Sequence, residues 1–227
     1  MSNVLLALAA LALIAPAPKN NSKSPPVSKQ TEAPQAESKI VPSAAAARVA
    51  RWIAASGDNH ALPYAIIDKI NASLFLFDAK GNSLGAVPVL IGVAVGDDAT
   101  PGIGSKNLAE IGPAEKTTPA GRFLAKFGST GGEKVLWVDY ATSVALHPIP
   151  KGASKKERRR QRMLSPSTED NRITFGCINV PLAFNNKVLR PLFQRKGGYV
   201  YILPDTKPLE VVFPRLRVQA LMENGTR

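Results

Sequence analysis

The chain is poor in the residues that hold metal ions and form disulfides. Its 227 residues include one cysteine, Cys177, and two histidines, His60 and His147. A lone thiol leaves three roles open: a reactive group, an intermolecular bridge or an inert buried side chain. One cysteine and two widely separated histidines do not make a metal-ligand cluster. The sequence also has no glycine loop with the Lys-Ser/Thr ending that binds phosphates. We therefore expect neither a metal nor a cofactor.

Aromatic residues and negative charge are also scarce. Only 6% of residues are aromatic, which argues against a lectin-like or base-stacking surface. Lysine and arginine (29) outnumber aspartate and glutamate (17), for a formal net charge of +12. Such a chain should be attracted to polyanions such as nucleic acid, anionic lipid or an acidic cell-wall polymer. Composition alone does not choose among them. The 44% hydrophobic content is sufficient for one sizeable domain with tails.

Long apolar runs are limited to one, at residues 4–16, VLLALAALALIAP. It is short for a membrane span but suits the apolar region of a secretory signal, although an ordinary apolar helix is the alternative. We expect residues 1–17 to be a signal peptide or an N-terminal membrane anchor, and the protein to be exported. Residues 18–42 are rich in Pro, Ser and Lys, which predicts a disordered linker. Residues 43–56 have helical spacing, with Ser43 as a candidate N-cap.

The remaining sequence has the pattern of a β domain at 57–206, followed by a C-terminal tail at 207–227. Short apolar runs separated by Gly/Pro turns favour an all-β sandwich or barrel with minor helices. The predicted strands are 64–67, 73–77, 87–95, 135–140, 143–146, 199–203 and 211–213. A helix is expected at 181–189.

Cys177 follows Gly176, and His147 ends a short apolar strand upstream. A neighbouring imidazole can take the thiol proton to give a thiolate–imidazolium pair that attacks a carbonyl. The backbone N–H groups of Gly176 and Cys177 could stabilise the resulting oxyanion, and His147 could protonate the leaving amine. Taken alone, an inert core thiol and a satisfied core histidine are equally open. His60 lies in a polar stretch and is the weaker candidate for the base.

Three segments in the same order resemble the L,D-transpeptidase (YkuD-type) family. Residues 174–179, Thr-Phe-Gly-Cys-Ile-Asn, are similar to its cysteine motif, usually Ser/Thr-His-Gly-Cys followed by an apolar residue and Asn or Arg. Residues 117–123, Thr-Thr-Pro-Ala-Gly-Arg-Phe, resemble its Thr-Pro-x-Gly-x-Phe segment, and His147 matches its upstream histidine. The resemblance covers about residues 62–204 and implies a β-sandwich catalytic domain without cofactors. In this family the enzymes cleave the L,D bond of a peptidoglycan tetrapeptide stem and pass the acyl group to an amine or to water.

Carried over to this sequence, the resemblance makes Cys177 the nucleophile and His147 the base and later the acid. Gly176 completes the catalytic set through its N–H group. Phe175 stands where the family usually has histidine, and this chain looks like a subset with an aromatic-Gly-Cys-Ile-Asn motif.

The remaining assignments concern substrate and location. Phe175, Arg172 and Asn179 are the expected substrate-binding residues, although Arg172 could equally be an exposed surface side chain. The expected partner is the peptidoglycan stem peptide, not nucleic acid, and the expected location is the periplasm or cell envelope. Two alternatives stay open: an L,D-carboxypeptidase that uses water, and a non-catalytic peptidoglycan-binding protein on the same fold.

The stretch 151–172 separates His147 from Cys177, and its first part, 151–162, is strongly basic. One interpretation is a lid that attracts carboxylates of the stem peptide. The other is a solvated helix or mobile loop.

Overall fold

The computed structural model describes residues 40–217. The predicted signal peptide or anchor at 1–17, the linker as far as residue 39, and residues 218–227 lie outside this range. Between residues 40 and 217, no helix is both long and apolar enough to cross a membrane.

Strands account for most of the regular structure in the described range. They are β1 (Tyr64–Asp68), β2 (Ser73–Phe77), β3 (Ser83–Pro88), β4 (Ile91–Gly92), β5 (Gly121–Thr130), β6 (Glu133–Asp139), β7 (Val144–Pro148), β8 (Arg172–Thr174), β9 (Ile178–Val180) and β10 (Gly198–Ile202). Eight of them form one sheet in the order β3-β2-β1-β10-β5-β6-β7-β9, and β4 pairs with β8. The β1–β10 and β7–β9 pairs are parallel, and the other pairs of the large sheet are antiparallel.

The large sheet folds over and nearly closes on itself. Leu90, just after β3, exchanges both backbone hydrogen bonds with Asn179 of β9, at 3.0 and 2.9 Å. One apolar core lies inside, with residues from both ends of the sheet, including Leu74, Leu136 and Ile178. The all-β fold with minor helices that the sequence predicts is confirmed.

A second apolar cluster covers the outer face of the central strands. Successive side chains of a strand point to opposite faces, so Ala65 and Ile67 enter the first core while Tyr64 and Ile66 enter the second. Both faces of β1 are therefore buried, which explains its unbroken apolar run.

Helix α1 (Ala44–Ser56) covers this outer face. Ser43 Oγ accepts the N–H of Ala46 at 3.0 Å, and Gly57 closes the helix with φ +66°. The predicted helix and its N-cap are confirmed. Trp52 and Ile53 are buried against Tyr201 and Phe213 in the second cluster.

The other helical elements are short. They are α2 (Arg159–Met163), α3 (Leu182–Phe184), the π-helical turn Asn185–Leu189, α4 (Arg190–Phe193), α5 (Leu209–Val212), and 3₁₀ turns at Ile103–Ser105, Leu108–Glu110, Pro113–Glu115, Lys155–Glu157 and Thr168–Asn171.

Three details differ from the sequence-based expectation. The run at 87–95 is divided between β3 and β4, and the longest strand, β5, was not predicted. The predicted strand at 211–213 is wrong, because these residues belong to the helical turn α5 and to Phe213 after it. In the region assigned to the C-terminal tail, Phe213 and Leu216 are buried in the second cluster.

Candidate active site

Strands β7 and β9 place two candidate site residues, His147 and Asn179, on one face. They are parallel neighbours, with Leu146 opposite Ile178 and His147 opposite Asn179. Because Leu146 and Ile178 point into the first core, His147 and Asn179 point to the other face. Cys177 comes directly before β9, and its sulfur lies against the chain at the start of β7, 3.7 Å from the Ser143 carbonyl oxygen.

The turn before Cys177 requires glycine at position 176. Gly176 has φ +127°, and a Cβ there would lie 2.6 Å from the carbonyl oxygen of Thr117. Thr174 stabilises the turn: its hydroxyl donates to the Cys177 carbonyl at 2.6 Å and accepts the Gly176 N–H at 3.2 Å. Because the Gly176 N–H is engaged in this way, the Cys177 N–H is the better placed of the two predicted oxyanion donors.

Thr118 connects the Thr-Thr-Pro segment at 117–119 to this turn. Its hydroxyl donates to the Gly176 carbonyl at 2.8 Å and accepts the Gly92 N–H at 2.8 Å. A side chain on Gly92 would also collide with the backbone of this segment, 2.3 Å from Lys116 O. Within the motif at 117–123, Thr118 thus supports the cysteine turn.

The Cys177 thiol is half-buried against the backbone of the β7 region. Its Sγ lies 3.7 Å from the carbonyl oxygen of Ser143. Burial raises the pKa of the thiol above its usual range, while a backbone hydrogen bond with Ala145 and the positive charge of Arg159 act in the opposite direction. At neutral pH the resting group is therefore the thiol.

The His147 ring is oriented by the chain next to it. Nδ1 lies 2.7 Å from the Pro148 carbonyl oxygen. A carbonyl oxygen can only accept, so this contact assigns the proton to Nδ1 and leaves Nε2 as the basic nitrogen. Burial lowers the pKa of His147, the Pro148 carbonyl opposes this, and Arg159 lowers the pKa further. The ring is therefore a neutral base at neutral pH.

The surroundings of Cys177 and His147 change one step of the mechanism that the sequence suggests. A preformed thiolate–imidazolium pair is disfavoured, because burial penalises the charged form of both groups. The arrangement suits general-base catalysis, in which the proton moves to Nε2 as the sulfur attacks. His60 takes no part in this arrangement: it packs against Tyr199 of β10, and two strands, β5 and β6, separate β10 from β7.

Arg159, the first residue of α2, reaches the site and was not among the predicted residues. Its Nη1 donates to Asn179 Oδ1 at 2.9 Å, and its Nε donates to Glu157 Oε2 at 2.8 Å. Its side chain is only 12% exposed. The signal in the sequence is faint: Arg159 is four residues before Met163, so the two share a helix face, and Met163 is buried.

The other two predicted substrate-binding residues have different surroundings. Phe175 is 36% exposed, and Lys116 Nζ lies 3.9 Å from the centre of its ring, a cation–π contact. Arg172 donates to Asp205 Oδ1 at 2.8 Å, so its charge is compensated. These contacts are those of an anchoring residue, and the role of Arg172 in substrate binding stays a prediction.

Behind the site lies a buried ion network. Lys69 Nζ donates to Asp97 Oδ1 at 2.9 Å, to Thr118 O at 3.0 Å and to Gly96 O at 2.6 Å. Asp205 lies 3.3 Å from the same ammonium and also binds Arg172. Thr118 is thus held at its carbonyl by Lys69 and at its hydroxyl by the cysteine turn.

Comparison with known proteins gave matches among solved structures. No protein-family model matches the sequence, and no curated protein matches it. The crystal structure of the L,D-transpeptidase from Xylanimonas cellulosilytica DSM 15894 is similar at 17% identity and a TM-score of 0.37. The match covers 62% of this chain and 60% of that one. Similarity at this level does not establish fold or function, which depend on the residues described above.

Proposed function

We propose that the chain is a cysteine acyltransferase, an L,D-transpeptidase, that acts on peptidoglycan stem peptides. The observation that supports this most directly is the orientation of His147. Its Nδ1 is held by the Pro148 carbonyl, which leaves Nε2 as the basic nitrogen, and the Cys177 sulfur lies at the start of the strand that carries this ring, beside Ser143. The motif resemblance at 117–123 and 174–179 supplies the substrate class.

In the first half-reaction, Cys177 sulfur attacks the carbonyl carbon of the L,D bond while its proton passes to His147 Nε2. The Cys177 N–H stabilises the oxyanion. The tetrahedral intermediate then collapses. His147 gives the proton to the amide nitrogen, the C–N bond breaks and D-Ala leaves. The acyl group remains on Cys177 as a thioester. An amine of a neighbouring stem attacks the thioester carbon and forms a new amide bond as the C–S bond breaks. The proton that the amine loses passes through His147 to the Cys177 sulfur.

This proposal places the protein in the cell envelope, since its substrate lies outside the cytoplasmic membrane. The apolar run at 4–16 and the net charge of +12 support that location and an N-terminal tether. Cell fractionation of the tagged full-length chain tests it, and recovery in the cytosolic fraction alone would contradict it.

Acylation by a carbapenem, a β-lactam that mimics the acyl donor, tests the nucleophile. We expect intact-protein mass to increase by one carbapenem in the wild type and to stay constant in Cys177→Ala. His147→Gln should slow the modification by about 10²–10⁴-fold, the usual contribution of a general base. His60→Gln, the matched control, should react like the wild type. An unmodified wild-type protein would contradict the acyltransferase proposal and favour a binding protein.

The acceptor is tested with purified muropeptides. Cross-linked dimers are the expected product. Tripeptide stems without dimers would instead identify water as the acceptor, the carboxypeptidase alternative. In both reactions, loss of D-Ala should disappear in Cys177→Ala.

A further inference from the structure

Asn179 carries an unpaired donor within the site. Its side chain is 1% exposed, and its Nδ2 has no hydrogen-bond partner among the described residues. The amide orientation is fixed, because Oδ1 must accept from Arg159 Nη1. A buried N–H without a partner keeps the cost of losing its water, so its retention in a site calls for an explanation.

Arg159 brings a positive charge to the same place. The guanidinium has five N–H donors, and the structure engages Nε and one N–H of Nη1 in close bonds, with a longer contact of 3.5 Å from Nη2 to Glu157. Donors therefore remain on Nη1 and Nη2. The charge acts on both catalytic groups, since it lowers the pKa of His147 and opposes the rise in that of Cys177.

The Asn179 amide and the charged Arg159 guanidinium are adjacent donors, and such a pair suits a carboxylate better than any neutral group. The arginine is held in place by Glu157 and Asn179, so little side-chain entropy is lost when an anion binds. The spacing also fits, because Asn179 is about 6.6 Å along the chain from Cys177. In a substrate, a carboxylate that is a few bonds away from the attacked carbonyl carbon lies at a comparable distance from that carbon.

We propose that Arg159 and Asn179 form a subsite that binds a carboxylate of the acyl donor next to Cys177. This inference rests on the proposed function for the identity of the donor, whereas the subsite itself is defined by the two side chains. Arg159 is then a specificity-determining residue: it selects stems that carry a free carboxylate beside the scissile bond.

The first test uses two alkylating reagents that differ only in charge near the reacting carbon. Iodoacetate carries a carboxylate and iodoacetamide a neutral amide. In both, the Cys177 sulfur forms a bond to the CH₂ carbon as iodide leaves. A change in thiol basicity or in the fraction of folded protein affects both alkylation rates alike, so it cancels in the ratio of the iodoacetate rate to the iodoacetamide rate. We expect the wild type to favour iodoacetate, relative to free cysteine, and the ratio to fall about tenfold in Arg159→Gln.

Matched variants separate a local effect from a general one. Arg160→Gln removes the same charge from the neighbouring residue, which is exposed, and should leave the ratio unchanged. Arg159→Lys should retain part of the preference, because the charge stays while the paired donors are lost. A ratio that is equal in wild type, Arg159→Gln and Arg160→Gln would overturn the proposal.

The second test uses tetrapeptide stems with a free or an amidated terminal carboxylate. The wild type should prefer the free acid in kcat/KM, and Arg159→Gln should lose this preference. If alkylation depends on Arg159 while no stem reacts, the subsite stands and the proposed function fails. If stems react with no preference in either protein, the proposed function stands and the subsite is overturned.

Discussion

At the scale of single residues, the turn that presents Cys177 is held by two threonine hydroxyls. Thr174 binds the Cys177 carbonyl and the Gly176 N–H, and Thr118 binds the Gly176 carbonyl. Valine has the same shape as threonine but neither donates nor accepts. The contribution of each hydroxyl can therefore be measured separately from packing.

Thr118→Val should destabilise the protein by about 1–3 kcal/mol, because the buried Gly92 N–H and Gly176 C=O lose their common partner. Urea unfolding measures this change. Thr118→Ser keeps the hydroxyl and loses one methyl group, so its loss should be about 0.8 kcal/mol. Iodoacetamide should also report a larger change of Cys177 reactivity in the valine variant than in the serine variant. Equal stability of the valine variant and the wild type would show that the bridge does not support the turn.

Only some of the site residues could be predicted from the sequence. Cys177 and His147 were found because each is rare and lies in a recognisable segment. Arg159 was not, because it is one of three consecutive arginines at 158–160, and local pattern does not say which one turns inward. Which arginine turns inward depends on the register of β7 against β9, because this register places Asn179 within hydrogen-bond distance of Arg159.

At the scale of elements, the errors have physical causes. Strand β5 was missed because its outward positions are polar or exposed and it contains Gly121 and Gly128, so its apolar alternation is weak. Its pairing with β6 and β10 supplies the missing stabilisation. Residues 211–213 have high β propensity, yet Val212 and Phe213 pack on the outer face of the sheet from a helical turn. Tertiary packing overrides local propensity in both places.

Phe213→Ala tests whether α5 and the chain after it stabilise the domain. The Phe213 ring lies 6.3 Å from that of Trp52 and 6.1 Å from that of Tyr201, and its side chain is buried. Loss of a buried phenylalanine should lower the free energy of unfolding by about 3–5 kcal/mol, as measured by urea denaturation. Val211→Ala, at an exposed position of the same turn, should change it by no more than about 0.5 kcal/mol. If both variants unfold like the wild type, residues 207–217 are the detached tail that the sequence suggested.

At the scale of the whole molecule, a single buried network joins segments from across the chain. Asp97 accepts the N–H groups of Asp205, Thr206 and Lys207, and its Oδ1 binds Lys69 beside β1. Through Thr118 and Arg172, the same network reaches Gly176 within the cysteine motif and the strand that precedes the motif. The distance in sequence between these segments explains why no local motif predicted it.

The network also predicts how the stability of the protein depends on pH. Burial would raise the pKa of Asp97, but the backbone N–H groups of Lys207 and Asp205 and the Lys69 ammonium outweigh it and hold the pKa far below its usual range. In the unfolded chain the carboxyl titrates at about 3.9. Below that pH the unfolded state binds a proton that the folded state does not, so stability falls as pH decreases. Asp97→Asn removes the nearer of the two carboxylates beside the buried Lys69 ammonium and should lose about 3–5 kcal/mol at pH 7. Because asparagine does not titrate, urea unfolding at pH 7, 5 and 3 should show the gap between wild type and variant narrowing below about pH 4. A gap that is constant over this range would show that Asp97 does not carry the acid dependence.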